Sequence, residues 1–320
     1  MIVQDLGSLR AAAAGLAAVL VAAVIAGCGA GGSGLVLEHS GLLADYPFNE
    51  PAPTSSLAPT FRLGGTATLS DRSVRLASNG LHIDVGPHPL GTWRGFFVAT
   101  AATYPANAVI HVQMWRPTRS VPLASQSGIV LIAVQTGASR LLDYVVVAGA
   151  ISRGNESWLV GYANGSTTYA TTKVLSNMPS SSTSEDVTLR TDGRSRYAVY
   201  FGDRLVYQST SLRLGVAAPF RVYLEVEAHG FPYETRFQDL WIAANSAVGV
   251  DGLHPGDHVT LTPKGDPPVS AVANAAGRAQ LLLPLNEAVG KGTLTIQGPH
   301  VRRRFAGVAF AGGDVYRVRT

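Results

Sequence analysis

The chain has 320 residues, of which 14% are charged, and its formal net charge is +4. A net charge this small argues against the strongly basic surface of a nucleic-acid-binding protein. The low charged fraction, together with abundant glycine, serine, threonine and valine, is typical of an extracellular β-protein. We therefore expect an all-β chain, long enough for two domains, with no nucleic-acid partner.

The first segment of the chain is an export signal by its pattern. Arg10 precedes an uncharged apolar run, residues 11–27, whose length falls between a secretory core and a short membrane span. The run ends in Ile25-Ala-Gly-Cys28, which resembles the lipobox of bacterial lipoproteins. Cys28 is the single cysteine of the chain, so it has no internal disulfide partner.

This resemblance implies that the chain is cut before Cys28 and that the membrane is a partner through lipid on that thiol. We therefore expect a signal peptide over residues 1–27, and a lipidated cysteine with a glycine-rich tether over residues 28–39. The protein would be exported and anchored at the cell membrane, facing the outside or the periplasm.

Period-2 alternation dominates the rest of the chain and predicts short β-strands. Two tight hairpins are expected, with turns at Asn79-Gly80 and Gly202-Asp203. Continuous apolar runs at residues 128–134 and 144–148 suit central strands. The other predicted strands cover residues 74–76, 81–85, 110–114, 187–189, 197–201, 205–207, 222–226 and 237–242.

Several of these segments resemble a known fold. The stretch from Val187 to Gly193, with the hairpin from Tyr197 to Tyr207, resembles part of laminin-G-like, concanavalin A-like domains. Residues 219–225 followed by 237–242 are similar to the last two strands of that fold. The resemblance implies a jelly-roll sandwich over residues 40–245 and does not assign a function.

A cluster of small residues at 243–252 predicts a boundary between domains. The remaining strands are expected at residues 259–261, 269–273, 279–283, 292–296 and 314–318. About seventy residues of this kind suit a small immunoglobulin-like β-sandwich over residues 246–320. It resembles the accessory modules that stand beside such jelly rolls in surface proteins.

Enzyme and metal motifs are missing from the sequence. There is no nucleophile elbow, phosphate-binding loop or zinc-protease motif, and no dinucleotide fingerprint that follows a predicted strand. His254 and His258 are four residues apart, but Pro255-Gly256 between them predicts a turn rather than a helix face. We expect no cofactor and no metal.

One strand carries carboxylates on a single face. Alternation places Tyr223, Glu225, Glu227 and His229 together, opposite the apolar residues of the same strand. Laminarinase-type glucanases on the resembled fold carry E-x-D-x-x-E, whereas here Glu227 stands in the Asp position and no further Glu follows. The sequence therefore assigns no catalytic residue, and hydrolysis stays open as an alternative.

A binding site is the stronger expectation. His111, Gln113 and Trp115 share a non-core face, and if their strand lies in the same concave sheet as Tyr223, Glu225 and Glu227, aromatic rings would stand among hydrogen-bonding groups. Sugars are bound in this way, through an apolar ring face and a polar rim. Trp158 and Tyr162 would add a second platform, although these aromatics could equally be core packing.

The sequence thus predicts a lipid-anchored, non-catalytic protein at the cell surface that binds a glycan or cell-wall polymer. Two alternatives stay open. One is an adhesive or scaffolding protein that binds surface proteins, and the other is a glycoside hydrolase of the concanavalin A-like fold.

Overall fold

The structure is a computed structural model, and its strands are numbered β1 to β23 in chain order. It describes residues 34–58, 60–65, 74–116, 127–136, 143–152, 155–166, 169–179, 183–192, 196–208, 219–299 and 301–319. The expected signal peptide, residues 1–27, and Cys28 lie outside these residues. No helix in the described ranges is long and apolar enough to cross a bilayer.

The larger part of the molecule is a sandwich of two antiparallel sheets. A seven-stranded sheet has the order β11-β10-β9-β8-β15-β6-β3. Its strands are β3 (Phe61–Gly65), β6 (Trp93–Thr100), β8 (Ser127–Thr136), β9 (Asp143–Ser152), β10 (Asn155–Ser166), β11 (Tyr169–Pro179) and β15 (Phe220–His229).

The facing sheet has eight strands, in the order β14-β13-β12-β7-β16-β5-β4, with β2 also paired to β16. Its strands are β2 (Leu42–Tyr46), β4 (Val74–Ala77), β5 (Gly80–Val85), β7 (Asn107–Trp115), β12 (Ser184–Asp192), β13 (Tyr197–Phe201), β14 (Arg204–Gln208) and β16 (Tyr233–Ala243). A short 3₁₀ helix, Thr54–Leu57, precedes β3.

Alternation explains why these strands form a sandwich. Val222, Leu224 and Val226 of β15 are fully buried, and so are Ile110 and Val112 of β7 in the other sheet. All of them belong to one core cluster between the sheets. Each such side chain contributes about 1.5–3 kcal/mol when it leaves water. The predicted all-β jelly roll is confirmed.

Both predicted hairpin turns are present. Gly80 begins β5 with φ of 136°, and Gly202 joins β13 to β14 with φ of 54°. A Cβ at Gly202 would meet nothing within 4 Å, so the turn needs the backbone freedom of glycine rather than its small size.

The C-terminal part, here called the C-terminal sandwich, has a separate core and two four-stranded sheets, β1-β23-β17-β20 and β19-β18-β21-β22. A second 3₁₀ helix, Leu285–Glu287, precedes β21. The strands are β1 (Leu35–His39), β17 (Ala247–Asp251), β18 (His258–Pro263), β19 (Val269–Val272), β20 (Arg278–Leu282), β21 (Val289–Gln297), β22 (Arg302–Ala311) and β23 (Val315–Val318).

One expected boundary is wrong. The tether was expected to reach residue 39, but Leu35–His39 form β1 and pair with β23 at the edge of the C-terminal sandwich. The boundary expected between residues 245 and 246 lies in the segment 244–246 that joins β16 to β17, and β17 pairs in parallel with β23. Two chain segments therefore connect the two parts, residues 40–41 and residues 244–246.

The junction between the two parts is tightly packed. Asp314 is buried and accepts hydrogen bonds from the backbone N–H groups of Gly41 and Ala311, each at 2.7 Å. A Cβ at Gly312 would lie 1.6 Å from the carbonyl oxygen of Asn245, so only glycine fits there. Burial raises the pKa of Asp314, although the hydrogen bonds that it accepts oppose the shift.

Candidate functional site

The outer face of β15 lies near the middle of the seven-stranded sheet. β8 flanks the strand on one side and β6 on the other. The predicted alternation is present, since Tyr223, Glu225 and His229 are half-buried on the outer face, while the intervening apolar residues fill the core. Glu227, on the same outer face, is only 7% exposed.

Glu225 and Glu227 form a hydrogen-bonded carboxyl pair. Burial raises the pKa of Glu225 well above its ordinary value of 4.5, and the charge of Glu227 and the hydrogen bond to it raise that pKa further. Burial also raises the pKa of Glu227, while its bond to Glu225 acts in the opposite direction. Two carboxylates this close cannot both be ionised cheaply, so the pKa of the pair is raised.

A glycine of the neighbouring strand makes room for this pair. Gly95 of β6 stands opposite Glu227 in the register. A Cβ there would lie 3.1 Å from Cγ of Glu227 and 3.5 Å from Oε1 of Glu225. The Glu227 side chain therefore lies beside the backbone of β6, because Gly95 has no side chain there, whereas Glu225 stands opposite Phe97.

Aromatic side chains flank the pair on both sides. Trp93 of β6 stacks on His229 with 5.1 Å between ring centroids. Phe97, also on β6, packs against Tyr223 at 5.4 Å. We call these side chains the glutamate face. Tyr223 and His229 are six residues apart on one strand, so the row is about 20 Å long. It consists of Trp93, Phe97, Tyr223, Glu225, Glu227 and His229.

The residues predicted on β7 do not join this site, because β7 and β15 lie in different sheets. The expectation of one shared surface is therefore wrong. Their side chains point away from the core on opposite sides of the sandwich.

His111 is a packing residue rather than a ligand-binding group. It is 8% exposed, stacks on Trp241 at 4.9 Å, and its Nδ1 lies 3.0 Å from the hydroxyl of Thr188. Burial lowers its pKa to about 4, so the ring is neutral near pH 7. Farther along the same outer face, Val109 and Trp241 pack against Ala288 of the C-terminal sandwich.

Gln113 and Trp115 lie on the outer face of the eight-stranded sheet, and both are half-buried. The guanidinium carbon of Arg236 lies 3.9 Å from the centroid of the Trp115 ring. That cation–π contact occupies one face of the ring, so Trp115 offers less stacking surface than its alternation suggested.

The predicted role of Trp158 as a binding platform is also wrong. It is fully buried, packs edge-on against Phe201 at 5.6 Å, and has the guanidinium of Arg116 5.9 Å from its ring centroid. It fills the space between the sheets, because its position on β10 falls in the inward register with the buried Val160. Tyr162 is on the same strand, but its side chain lies outside the part that the structure describes.

Sequence reasoning missed Trp93, Phe97 and Gly95. A signal was present, since Trp93, Gly95, Phe97 and Ala99 alternate on one face of β6. The adjacent pair Phe96-Phe97 concealed it by making both faces apolar.

Metal ligands were expected to be absent. Within the described ranges, no three His, Cys, Asp or Glu side chains are grouped so that they could hold a metal ion. His254 is exposed, and its backbone N–H donates to Asp257 across the predicted turn.

No protein-family model matches the chain, and no curated protein sequence matches it. Solved structures with a similar arrangement of strands include β-agarase A from Zobellia galactanivorans, at 9% identity and a TM-score of 0.49, covering 67% of this chain and 95% of that one. A glycosyl hydrolase family protein from Mycobacterium fortuitum has 11% identity and a TM-score of 0.45, with 63% and 99% covered. The carbohydrate recognition domain of Emp46p has 11% identity and a TM-score of 0.46, with 64% and 97% covered. At this level of similarity none of them assigns an activity or a site residue to this chain.

Proposed function

We propose that this protein is a lipid-anchored, non-catalytic glycan-binding protein of the cell surface, and that its ligand lies along the glutamate face. One observation carries the proposal. Two aromatic pairs, Trp93 with His229 and Phe97 with Tyr223, flank the carboxyl pair on a single sheet surface.

This arrangement matches the chemistry of a sugar. A pyranose ring has an apolar face that packs on an aromatic side chain, and its hydroxyl groups donate hydrogen bonds to carboxylate oxygens. When one of the two carboxyl groups is protonated, the pair offers both a donor and acceptors to those hydroxyl groups. A row of about 20 Å gives an extended chain more than one point of contact.

The residue pattern favours binding over hydrolysis. Laminarinase-type glucanases carry E-x-D-x-x-E, and here Glu227 stands in the Asp position of that pattern. In the glucanase pattern a third carboxyl would follow at residue 230, which is Gly230 here.

The discriminating experiment uses soluble chain comprising residues 29–320, which retains every residue that the structure describes. A glycan array would be run beside a reducing-sugar release assay on the glycans that bind. We expect binding without release, and little loss of affinity in Glu225→Gln. Release of sugar that Glu225→Gln abolishes would establish the hydrolase instead, and no binding to any glycan would refute both.

Anchoring is tested separately. Because lipid is transferred to a thiol, Cys28→Ser should leave an unprocessed precursor or release the protein from the membrane fraction. A mature amino terminus elsewhere, or wild-type protein without lipid, would contradict the anchor.

A further inference from the structure

The C-terminal sandwich has a basic surface on the outer side of β21 and β22. On β21, Thr293, Thr295 and Gln297 alternate with buried residues of the core. Across the ladder, Arg304 pairs with Thr295, and Arg302 pairs with Gln297. With Thr262, these side chains line a groove of about 370 Å³. We call this set the arginine face: Thr262, Thr293, Thr295, Gln297, Arg302 and Arg304.

The positive charge of this face is not neutralised by neighbours. Arg302 and Arg304 are exposed, and in the described part of the chain no carboxylate forms an ion pair with either. Arginines on the other sheet of the same sandwich are paired, as Arg278 is with Asp251. The groove itself is lined by hydroxyl, amide and guanidinium groups, so it presents hydrogen-bond donors without an opposing acid.

The described chain begins beside β22, the strand that carries Arg302 and Arg304. Arg303, between the two exposed arginines, donates a hydrogen bond to the carbonyl oxygen of Arg319. A Cβ at Gly34 would lie 2.7 Å from Nη1 of the same Arg303. Gly34 is six residues after Cys28, and six residues span at most about 20 Å.

We propose that the arginine face docks the C-terminal sandwich onto anionic phospholipid headgroups. Guanidinium groups bind phosphate oxygens in a two-pronged geometry, and threonine hydroxyl groups add donors. Lipid on Cys28, which belongs to the proposed function, would hold this face within reach of the bilayer. Basic side chains beside a lipid anchor act as a second attachment and fix the orientation of the protein.

The test uses residues 29–320, which carry no lipid, so it does not depend on anchoring or on glycan binding. Co-sedimentation would compare vesicles of phosphatidylcholine with vesicles that also contain phosphatidylglycerol. We expect binding to the anionic vesicles alone, with an affinity that falls as salt is added. The double variant Arg302→Gln/Arg304→Gln should bind roughly 30-fold more weakly, from about 1 kcal/mol per basic residue.

A matched control is available on the jelly roll. Arg190→Gln/Arg204→Gln removes the same charge from two exposed positions and should leave vesicle binding unchanged. Arg302→Lys/Arg304→Lys keeps the charge and should retain most of the binding. No binding to anionic vesicles, equal binding to both kinds of vesicle, or equal loss in the two glutamine variants would overturn the proposal. Inorganic phosphate that displaces the protein from the vesicles at the same concentration as the lipid phosphate would also overturn it, because the ligand would then be a free anion.

Discussion

The carboxyl pair of the glutamate face should make the stability of the jelly roll depend on pH. The pKa of Glu225 is raised in the folded protein by burial and by Glu227. Above about pH 4.5 the folded state therefore binds more protons than the unfolded state, and the free energy of unfolding falls as the pH rises. One excess proton corresponds to a slope of about 1.4 kcal/mol per pH unit, over the window from the unfolded pKa to the folded one.

Glu225→Gln should remove much of this slope. Glutamine can still donate an amide N–H to Glu227, but it cannot ionise, so the variant should be more stable than the wild type at neutral pH. Urea unfolding would be followed by tryptophan fluorescence, which reports on the jelly roll because all four tryptophans lie there. Glu50→Gln, at an exposed loop position, is the matched control. Parallel pH profiles for wild type and Glu225→Gln would refute the raised pKa of Glu225.

Two further predictions concern packing. Trp158→Ala should cost about 3–5 kcal/mol of stability in urea unfolding, because it empties a fully buried site, and it should leave glycan affinity unchanged under native conditions. A stable Trp158→Ala variant that has lost glycan binding would indicate that Trp158 contacts the glycan after all. Asp314→Ala should cost about 1–3 kcal/mol for each buried N–H left without its acceptor, which scanning calorimetry would record as a lower melting temperature. An unchanged melting temperature would contradict the role given to the junction.

Alternation explains why β15 could be predicted from the sequence in detail. Val222, Leu224 and Val226 recur at every second position, so the sequence separates the inner face of the strand from the outer one. The same reasoning placed Trp115 correctly outside the core. Alternation distinguishes inside from outside, however, and contains no information on which sheet a strand joins. The prediction that β7 and β15 lie in the same sheet failed for this reason.

Strand β6 shows a second limit. Its Gly95-Phe-Phe-Val98 stretch is apolar on both sides, because one side fills the core and the other holds the aromatic row of the glutamate face. The stacking of Trp93 on His229 depends on the pairing register of β6 with β15. Register is set by contacts between segments that are far apart in sequence, so local patterns do not reveal it.

The end of the tether failed for a related reason. Strand β1 has five residues, three of them aliphatic, and its pairing partner β23 lies at the far end of the chain. A short segment of this kind reads as a tether or linker until its partner is known.

The central claim is that a glycan binds along the glutamate face, and Trp93 tests it most directly. Affinity for a glycan identified on the array would be measured for Trp93→Ala and Trp115→Ala. These two tryptophans are both half-buried on outer faces, but they lie on opposite sheets. Loss of one stacked sugar contact costs about 1–2 kcal/mol, so Trp93→Ala should weaken binding by roughly ten-fold or more. Trp115→Ala should bind like the wild type. Equal affinity in wild type and a folded Trp93→Ala, or a loss confined to Trp115→Ala, would contradict the site.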